Sequence, residues 1–195
     1  MVRRYKLKER AVSRQETRER IVEATVALHE NPGPRATTIS AIAERAGVQR
    51  LTVYRHFPTE ADLFGACSAH WNRANPPPDP SVWGAIADPR RRAQTALLAL
   101  YHYFRASRLM LASVLRDAPF VEQVEKSLKP YRSYLAVVAD ALSAGLSSGA
   151  RADALKVTAR HVVQFETWSA LAHEGLSDEA ATKLALSWIE GVRRG

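Results

Sequence analysis

The chain has a single cysteine, Cys67, so it cannot form an intrachain disulfide, and its cysteine content does not indicate an oxidising compartment. It contains no apolar run near the ~20 residues that a membrane-spanning helix needs. Its basic N-terminus is not followed by the apolar segment and cleavage site of a signal peptide. From these absences we expect a cytoplasmic protein without a membrane partner.

Patterns that mark enzymes are also missing. No cluster of His, Cys and Glu has metal-ligand spacing, and no glycine-rich phosphate loop occurs. Ser, His and Asp residues are scattered along the chain rather than arranged as a recognisable nucleophilic site. We therefore predict no enzymatic activity, no metal site and no cofactor.

The positive charge is concentrated in the N-terminal third of the chain. The net charge is +8, and residues 1–58 carry 12 Lys and Arg against 6 Asp and Glu. Residues 59–195 carry 16 against 14, which is close to balance. With 46% hydrophobic and 25% charged residues, the chain is typical of a folded protein of one or two domains. The asymmetry indicates a phosphate-binding module at the N-terminus.

Residues 38–57 have the pattern of a helix-turn-helix. Ile39, Ile42 and Ala43 form a short apolar helical face that ends at Gly47, four residues after Ala43. Val53 follows six residues after that glycine. Two steeply crossing helices need a small residue at their closest approach, a glycine in the turn and a branched apolar residue to close the core. An ordinary helical hairpin is the alternative.

The second of these helices carries polar residues off its packed face, as readout of a major groove requires. Thr38 can cap the first helix and also offer its hydroxyl to a phosphate. Leu51 either closes the core or contacts a thymine methyl group. The polar residues are Gln49, Arg50, Thr52, Arg55 and His56.

Helical patterns fill the rest of the chain, and no segment reads as a strand, so we predict an all-α fold of about nine helices. Residues 1–13 form a mobile basic arm, the first helix starts near Ser13 or Arg14, and Thr59 caps the fourth helix. A proline-rich segment at 75–80 is an extended connection. Later helices are predicted at 89–105, 107–116, 119–145, 152–174 and 178–192.

Residues 37–64 resemble the TetR/AcrR family of transcriptional regulators. The resemblance rests on Thr37-Thr38-Ile39, Ala43, Ala46-Gly47-Val48, Thr52-Val53-Tyr54, His56-Phe57-Pro58 and Leu63-Phe64. It implies a homodimer in which residues 1–58 bind DNA and residues 59–195 bind a ligand and dimerise. One departure is Glu60, which stands where many relatives carry a lysine that contacts a phosphate.

Carried over position by position, the resemblance assigns Gln49 and Arg50 to base contacts. Arginine can pair with guanine and glutamine with adenine, although a phosphate contact is the alternative for Arg50. Contacts to the DNA backbone are assigned to Thr38, Thr52, Tyr54 and His56. Packing is the alternative role for Tyr54.

The second domain offers aromatic and polar residues at helical spacing, most of which a folded core would also need. The last two predicted helices resemble the pair that forms the family's dimer interface, which implies contacts through Leu171, Leu184 and Trp188, although core packing within the chain is the alternative for Trp188. The candidate ligand contacts are Trp71, Tyr101, Phe104, Tyr134, His161, Phe165 and Trp168.

These expectations describe a sequence-specific regulator that binds a double-stranded DNA operator. The resemblance favours a repressor that a small-molecule effector releases from a palindromic operator. A ligand-requiring activator and a ligand-independent DNA-binding protein stay open as alternatives.

Overall fold

A computed structural model of the chain describes residues 2–146 and 151–194, and all regular structure in these ranges is helical, which confirms the all-α prediction. Short 3₁₀ helices span Pro34–Ala36 and Ala118–Phe120. The α-helices of the described ranges are α1 (Val2–Glu30), α2 (Ile39–Ala46), α3 (Arg50–His56), α4 (Glu60–Ala74), α5 (Ser81–Gly84), α6 (Pro89–Ala106), α7 (Arg108–Asp117), α8 (Glu122–Ser127), α9 (Lys129–Ser143), α10 (Arg151–Val162), α11 (Phe165–His173) and α12 (Asp178–Arg194).

The predicted count of nine helices is wrong, because the described residues form twelve. The short helix α5 follows the proline-rich segment directly. The single helix predicted at 119–145 is divided into a 3₁₀ turn, α8 and α9, and the one predicted at 152–174 is divided into α10 and α11. Each division therefore replaces one predicted helix by two shorter α-helices.

The start of the first helix is also corrected. Helix α1 begins at Val2 rather than near Ser13 or Arg14, so the segment predicted as a mobile arm is helical from residue 2. Residues 2–13 are mostly Arg, Lys, Glu, Leu and Ala and contain neither proline nor glycine, so nothing in their chemistry interrupts a helix.

By packing, the chain divides into two compact units. The first comprises Met1–Pro76 and Leu109–Leu128, and the second comprises Pro77–Arg108 and Lys129–Gly195. The division into a DNA-binding domain at 1–58 and a ligand-binding domain at 59–195 stays a prediction.

The core of the first unit is built mainly from small and branched side chains of α1 to α4, together with Phe57, which follows α3. Val53 is fully buried in α3, so this short helix is fixed to the unit by its apolar side. Full burial of one such side chain contributes about 1.5–3 kcal/mol. The buried cluster comprises Ile21, Val22, Ala24, Ile42, Ala43, Ala46, Val53, Phe57 and Leu63.

The segment between α1 and α2 is fixed by the end of α7. The backbone N–H of Arg35 donates to the buried carboxylate of Asp117 at 3.0 Å, and Arg116 donates to the carbonyl of Pro32 at 2.9 Å. The hydrogen bond from Arg116 is the main cause that lowers the pKa of Asp117. Gly33 lies at φ +117°, and a Cβ there would clash with Arg116. The entry to α2 is therefore tied to an ion pair.

In the second unit, α6 packs against α9 and α12, and α10 packs against the same two helices. The apolar face of α6 follows the spacing of an amphipathic helix, and its residues Ala96, Leu97, Leu100, Tyr101 and Phe104 are fully buried. In the described part of the chain, no helix is both long enough and apolar enough to cross a bilayer.

Candidate nucleic-acid interface

The turn between α2 and α3 has the predicted geometry. The Thr38 hydroxyl accepts a hydrogen bond from the backbone N–H of Ala41 at 3.1 Å, which confirms Thr38 as the cap of α2. Gly47 lies in the left-handed region at φ 65° and ψ 40°, where a side chain is strained. The N–H of Val48 then donates to the carbonyl of Ala43 at 2.9 Å, which closes the helix end.

Helix α3 packs against the rest of the first unit through one face only. Val53 and Phe57 are buried, and the guanidinium of Arg18 lies 4.6 Å from the centre of the Phe57 ring. In contrast, Leu51 is 73% exposed and Tyr54 is 46% exposed. The exposure of Leu51 settles one open alternative, because this side chain does not close the core.

The hydrogen-bonding groups of α3 are accessible. Gln49, Arg50 and Arg55 are exposed, and Thr52 and His56 are half-buried. In the described ranges, the guanidinium groups of Arg50 and Arg55 make no hydrogen bond or ion pair, so both are available to a partner. The structure therefore leaves the predicted DNA-contacting side chains of α3 at least partly accessible.

A basic groove runs between α1 and α3. Among the described residues, its lining includes three arginines and no carboxylate, so its electrostatic character suits a polyanion. Arg14 and His56 also line a neighbouring cleft together with Arg18, which extends the positive surface. The residues that line the basic groove are Ser13, Arg14, Thr17, Arg20, Val48, Gln49, Thr52, Arg55 and His56.

His56 lies at the positive end of this groove. Its pKa is lowered from 6.5, first because burial disfavours the imidazolium and then because Arg14, Arg55 and Arg18 repel it. A phosphate bound in the groove would offset the arginines, so the pKa of His56 is expected to be higher in a DNA complex than in the free protein.

Binding to DNA is accordingly expected to be coupled to proton uptake by His56. The affinity should rise as the pH falls through the pKa of His56 in the complex, and it should level off once the pH lies below the lowered pKa of His56 in the free protein. Dissociation constants measured between pH 8 and pH 5 on one duplex check this. His56→Gln should flatten the profile, whereas His70→Gln on α4 should not. An unchanged profile for His56→Gln would show that this histidine does not approach a phosphate.

A second groove lies on the other side of α3. Thr38 and Ser40 of the α2 end share it with Arg50, Tyr54 and Glu60. Glu60 is exposed at the first position of α4, and the capping box there is formed by Thr59 and Asp62 instead. This confirms Thr59 as the cap of α4. It also leaves the Glu60 carboxylate on the same groove as the guanidinium of Arg50.

One Cys–His pair in the first unit resembles a nucleophilic dyad but has the opposite electrostatics. The Cys67 Sγ lies 3.5 Å from Nδ1 of His29. Burial raises the pKa of the Cys67 thiol to about 12 and lowers that of His29 to about 4. The neutral thiol and neutral imidazole that result are unsuited to thiolate chemistry. Among the described residues, no group of three His, Cys, Asp or Glu side chains could hold a metal ion.

The candidate ligand contacts are only partly brought together. Tyr101 and Phe104 are fully buried in the second unit, where the Phe104 ring centre lies 5.5 Å from that of Phe165 and 6.0 Å from that of Trp168. Trp71 belongs to the first unit. Tyr101, Phe104, Phe165 and Trp168 pack together in the core of the second unit. Their role in ligand binding stays a prediction.

The other two candidate ligand contacts lie apart from that aromatic group. Tyr134 is half-buried, and its hydroxyl donates to the carbonyl of Pro78 at 3.0 Å. His161 is exposed on α10, with its ring centre 6.4 Å from that of Trp188. Their role in ligand binding also stays a prediction.

The predicted dimer contacts lie on α11 and α12. Leu184 is 38% exposed, whereas Leu171 and Trp188 are half-buried. Val157 on the neighbouring helix α10 is 64% exposed. The single chain therefore presents apolar side chains on these helices that its own fold does not cover.

The chain shares its helix-turn-helix region with known regulators. Residues 21–67 match the family model described as bacterial regulatory proteins, tetR family. Over 52 residues, the chain is 42% identical to the HTH-type transcriptional repressor KstR of Rhodococcus jostii (strain RHA1). That alignment covers 27% of this chain and 24% of the relative, so the likeness is confined to about a quarter of each protein.

Solved structures share the fold over nearly the whole chain. NalD, the secondary repressor of the MexAB-OprM multidrug efflux pump in Pseudomonas aeruginosa, has a TM-score of 0.59 at 19% identity over 92% of this chain and 96% of its own. A TetR-like transcriptional regulator from Rhodococcus sp. RHA1 has a TM-score of 0.56 at 20% identity, covering 89% and 93%. At these identities the likeness shows the fold alone.

Proposed function

We propose that the chain is a repressor of the TetR family, whose model matches residues 21–67, and that it recognises a specific operator in double-stranded DNA. The observation that carries the proposal is the accessible surface of α3. Its guanidinium groups have no partner in the described ranges, and it borders a groove lined by three arginines. Such a surface is suited to phosphates and base edges together.

Base contacts are assigned to the start of α3. The first residues of a recognition helix reach furthest into the major groove, and here these are Gln49, Arg50 and Leu51. Arg50 can donate two hydrogen bonds to guanine and Gln49 can pair with adenine. The exposed Leu51 side chain offers an apolar contact to a thymine methyl group.

Contacts to the sugar-phosphate backbone are assigned to residues around this centre. Thr52 and His56 line the basic groove, and Thr38 and Tyr54 line the groove on the other side of α3. Hydroxyl and imidazole groups on both sides of a recognition helix fix its register on the duplex without carrying sequence information themselves.

We also propose that the chain acts as a homodimer whose DNA binding is regulated by a small molecule. We place the dimer interface on α11 and α12, where Leu171, Leu184 and Trp188 lie. In a twofold dimer the two recognition helices meet successive major grooves about 34–36 Å apart, which requires a palindromic operator. An effector bound in the second unit shifts the population away from the spacing that fits DNA, in the bacterial cytoplasm where the operator lies.

The salt dependence of binding tests the electrostatic part of the proposal. We assume that Arg14, Arg20 and Arg55 each contact a phosphate in both subunits. A plot of the logarithm of the association constant against the logarithm of the salt concentration should then have a slope of about −5. Fluorescence anisotropy with a labelled duplex from 50 to 300 mM salt measures it. Arg14→Gln should reduce the slope by about 2, whereas Arg73→Gln, an equal charge change at the far end of α4, should not. An affinity that does not depend on salt would contradict the proposal.

A further inference from the structure

Arg35, in the 3₁₀ turn before α2, has an exposed side chain that no carboxylate pairs with. In the described ranges, its guanidinium makes no hydrogen bond or ion pair. Arg35 lines the second groove beside α3, together with Thr38, Ser40, Arg50 and Tyr54. The residues that line this groove all belong to the first unit.

The charges of the second groove leave Arg35 as its cation for the DNA backbone. Arg50 is assigned to base edges, and the carboxylate of Glu60 would repel a phosphate. His29 also lines the groove, but burial lowers its pKa to about 4, so its imidazole is neutral at pH 7. Among the described residues that line the groove, Arg35 is therefore the remaining cation that can balance a phosphate charge.

An aromatic ring from a distant part of the chain holds the side chain of Arg35. Its Cζ atom lies 4.4 Å from the centre of the Phe120 ring, which is within the range of a cation–π interaction. Phe120 is 65% exposed, so this stacked pair lies at the surface rather than in the core. An arginine stacked on a ring keeps the N–H groups at its edge, and these match the oxygens of a phosphate.

The backbone of Arg35 is held separately. Its N–H donates to the carboxylate of Asp117 at 3.0 Å, and Arg116 donates to the two oxygens of the same carboxylate at 2.8 and 3.2 Å. Asp117 thus fixes the main chain of Arg35, while Phe120 restricts its side chain. A group that is ordered before binding loses less conformational entropy when it binds.

We propose that Arg35 is a further contact to the DNA backbone, which binds a phosphate in the second groove, and that Phe120 is a positioning residue for its guanidinium. This inference rests on the function proposed above, because it extends the same DNA interface. With it, cations on both sides of α3 neutralise phosphates and together fix the register of the helix on the duplex.

The salt dependence of binding tests the contact. The three arginines of the basic groove account for a slope of about −5, and Arg35 in both subunits should change it to about −7. Arg35→Gln should restore a slope of about −5. Between 50 and 200 mM salt, the affinity of this variant should then fall about tenfold less than that of the parent protein. Fluorescence anisotropy on operator and random duplexes measures both quantities.

The loss of affinity for Arg35→Gln should be similar on the two duplexes, because a phosphate carries no sequence information. Arg73→Gln, an equal charge change at the far end of α4, is the control and should leave the slope unaltered. A slope that Arg35→Gln does not change, or a loss confined to the operator, would overturn the proposed contact.

Variants of Phe120 test the positioning role. Phe120→Leu retains the charge of Arg35, so the slope should stay near −7 while the affinity for both duplexes falls about 2- to 10-fold. Phe120→Tyr retains the ring and should retain the affinity. Leu109→Ala, a truncation of another exposed apolar side chain of the first unit, is the control and should bind as the parent does.

The effect of Phe120 should depend on Arg35. In a protein that already carries Arg35→Gln, Phe120→Leu is expected to cause no further loss, because the ring no longer has a guanidinium to hold. A merely structural role of the ring would lower the affinity equally in both backgrounds. An equal loss would therefore contradict the positioning role.

Failure of this inference can be told apart from failure of the proposed function. If Arg14→Gln reduces the slope and Arg35→Gln does not, the DNA-binding function is retained and the Arg35 contact is refuted. If the parent protein binds without any dependence on salt, both the proposed function and this inference fail.

Discussion

Arg50→Ala is expected to remove most of the preference for operator over random DNA while changing the affinity for random DNA only a few-fold. A bidentate contact to guanine contributes about 1–3 kcal/mol of discrimination, and a palindromic site contains two. The loss on the operator should therefore range from about thirtyfold to more than a thousandfold. Anisotropy titrations of both duplexes at one salt concentration measure it.

A matched variant on the same helix is Arg55→Ala. Arg55→Ala removes one positive charge, as Arg50→Ala does, but it removes it from the basic groove. The losses of affinity for operator and for random DNA should therefore be similar. Its circular dichroism spectrum should match that of the parent protein, because neither guanidinium is paired in the described ranges. Equal losses on both duplexes for Arg50→Ala would mean that Arg50 contacts only phosphate.

Leu184→Glu is expected to convert the proposed dimer into a monomer of 21.6 kDa. Leu184 is 38% exposed in the single chain, so a glutamate is tolerated by the fold. In a twofold interface the same change buries two unpaired carboxylates, which disfavours association strongly. Light scattering coupled to size exclusion measures the mass. Operator affinity should fall on the order of a hundredfold, because a monomer holds one half-site.

Leu109→Glu is the control for this variant. The side chain of Leu109 on α7 is 59% exposed. The variant therefore makes the same chemical change on a surface outside the proposed interface. It should leave the mass and the operator affinity unaltered. A Leu184→Glu protein that remains dimeric would place the interface on other helices.

The helix-turn-helix was predictable because its signals are local. A threonine cap, a glycine that takes positive φ and a small residue four positions earlier are chemical requirements of the turn itself. Thr38, Gly47 and Ala43 meet them, and the structure confirms each. The cap and capping box at Thr59 follow the same logic.

The helix divisions were missed for two different reasons. Pro130 lies at the second position of α9 and, since proline favours the first turn of a helix, it was an available signal for a new start. The break before α11 has no such signal. Gln164 caps it without a side-chain hydrogen bond, and Thr167 donates to the carbonyl of His161 instead. That break depends on tertiary packing.

The burial of the candidate site residues also could not be predicted from local sequence patterns. Leu51 has the spacing of a core residue, and only the structure places it on the exposed side of α3. The aromatic spacing of Tyr101 and Phe104 is the same for core and for pocket, and the structure shows both fully buried.

The most direct test of the central claim, that α3 recognises a defined DNA sequence, is selection of fragments from the source genome by the purified protein at physiological salt. We expect that the protein retains a small set of fragments, that these fragments share an inverted repeat, and that the Arg50→Ala variant no longer retains them. Retention without preference for any fragment, with or without added metabolites, would contradict it.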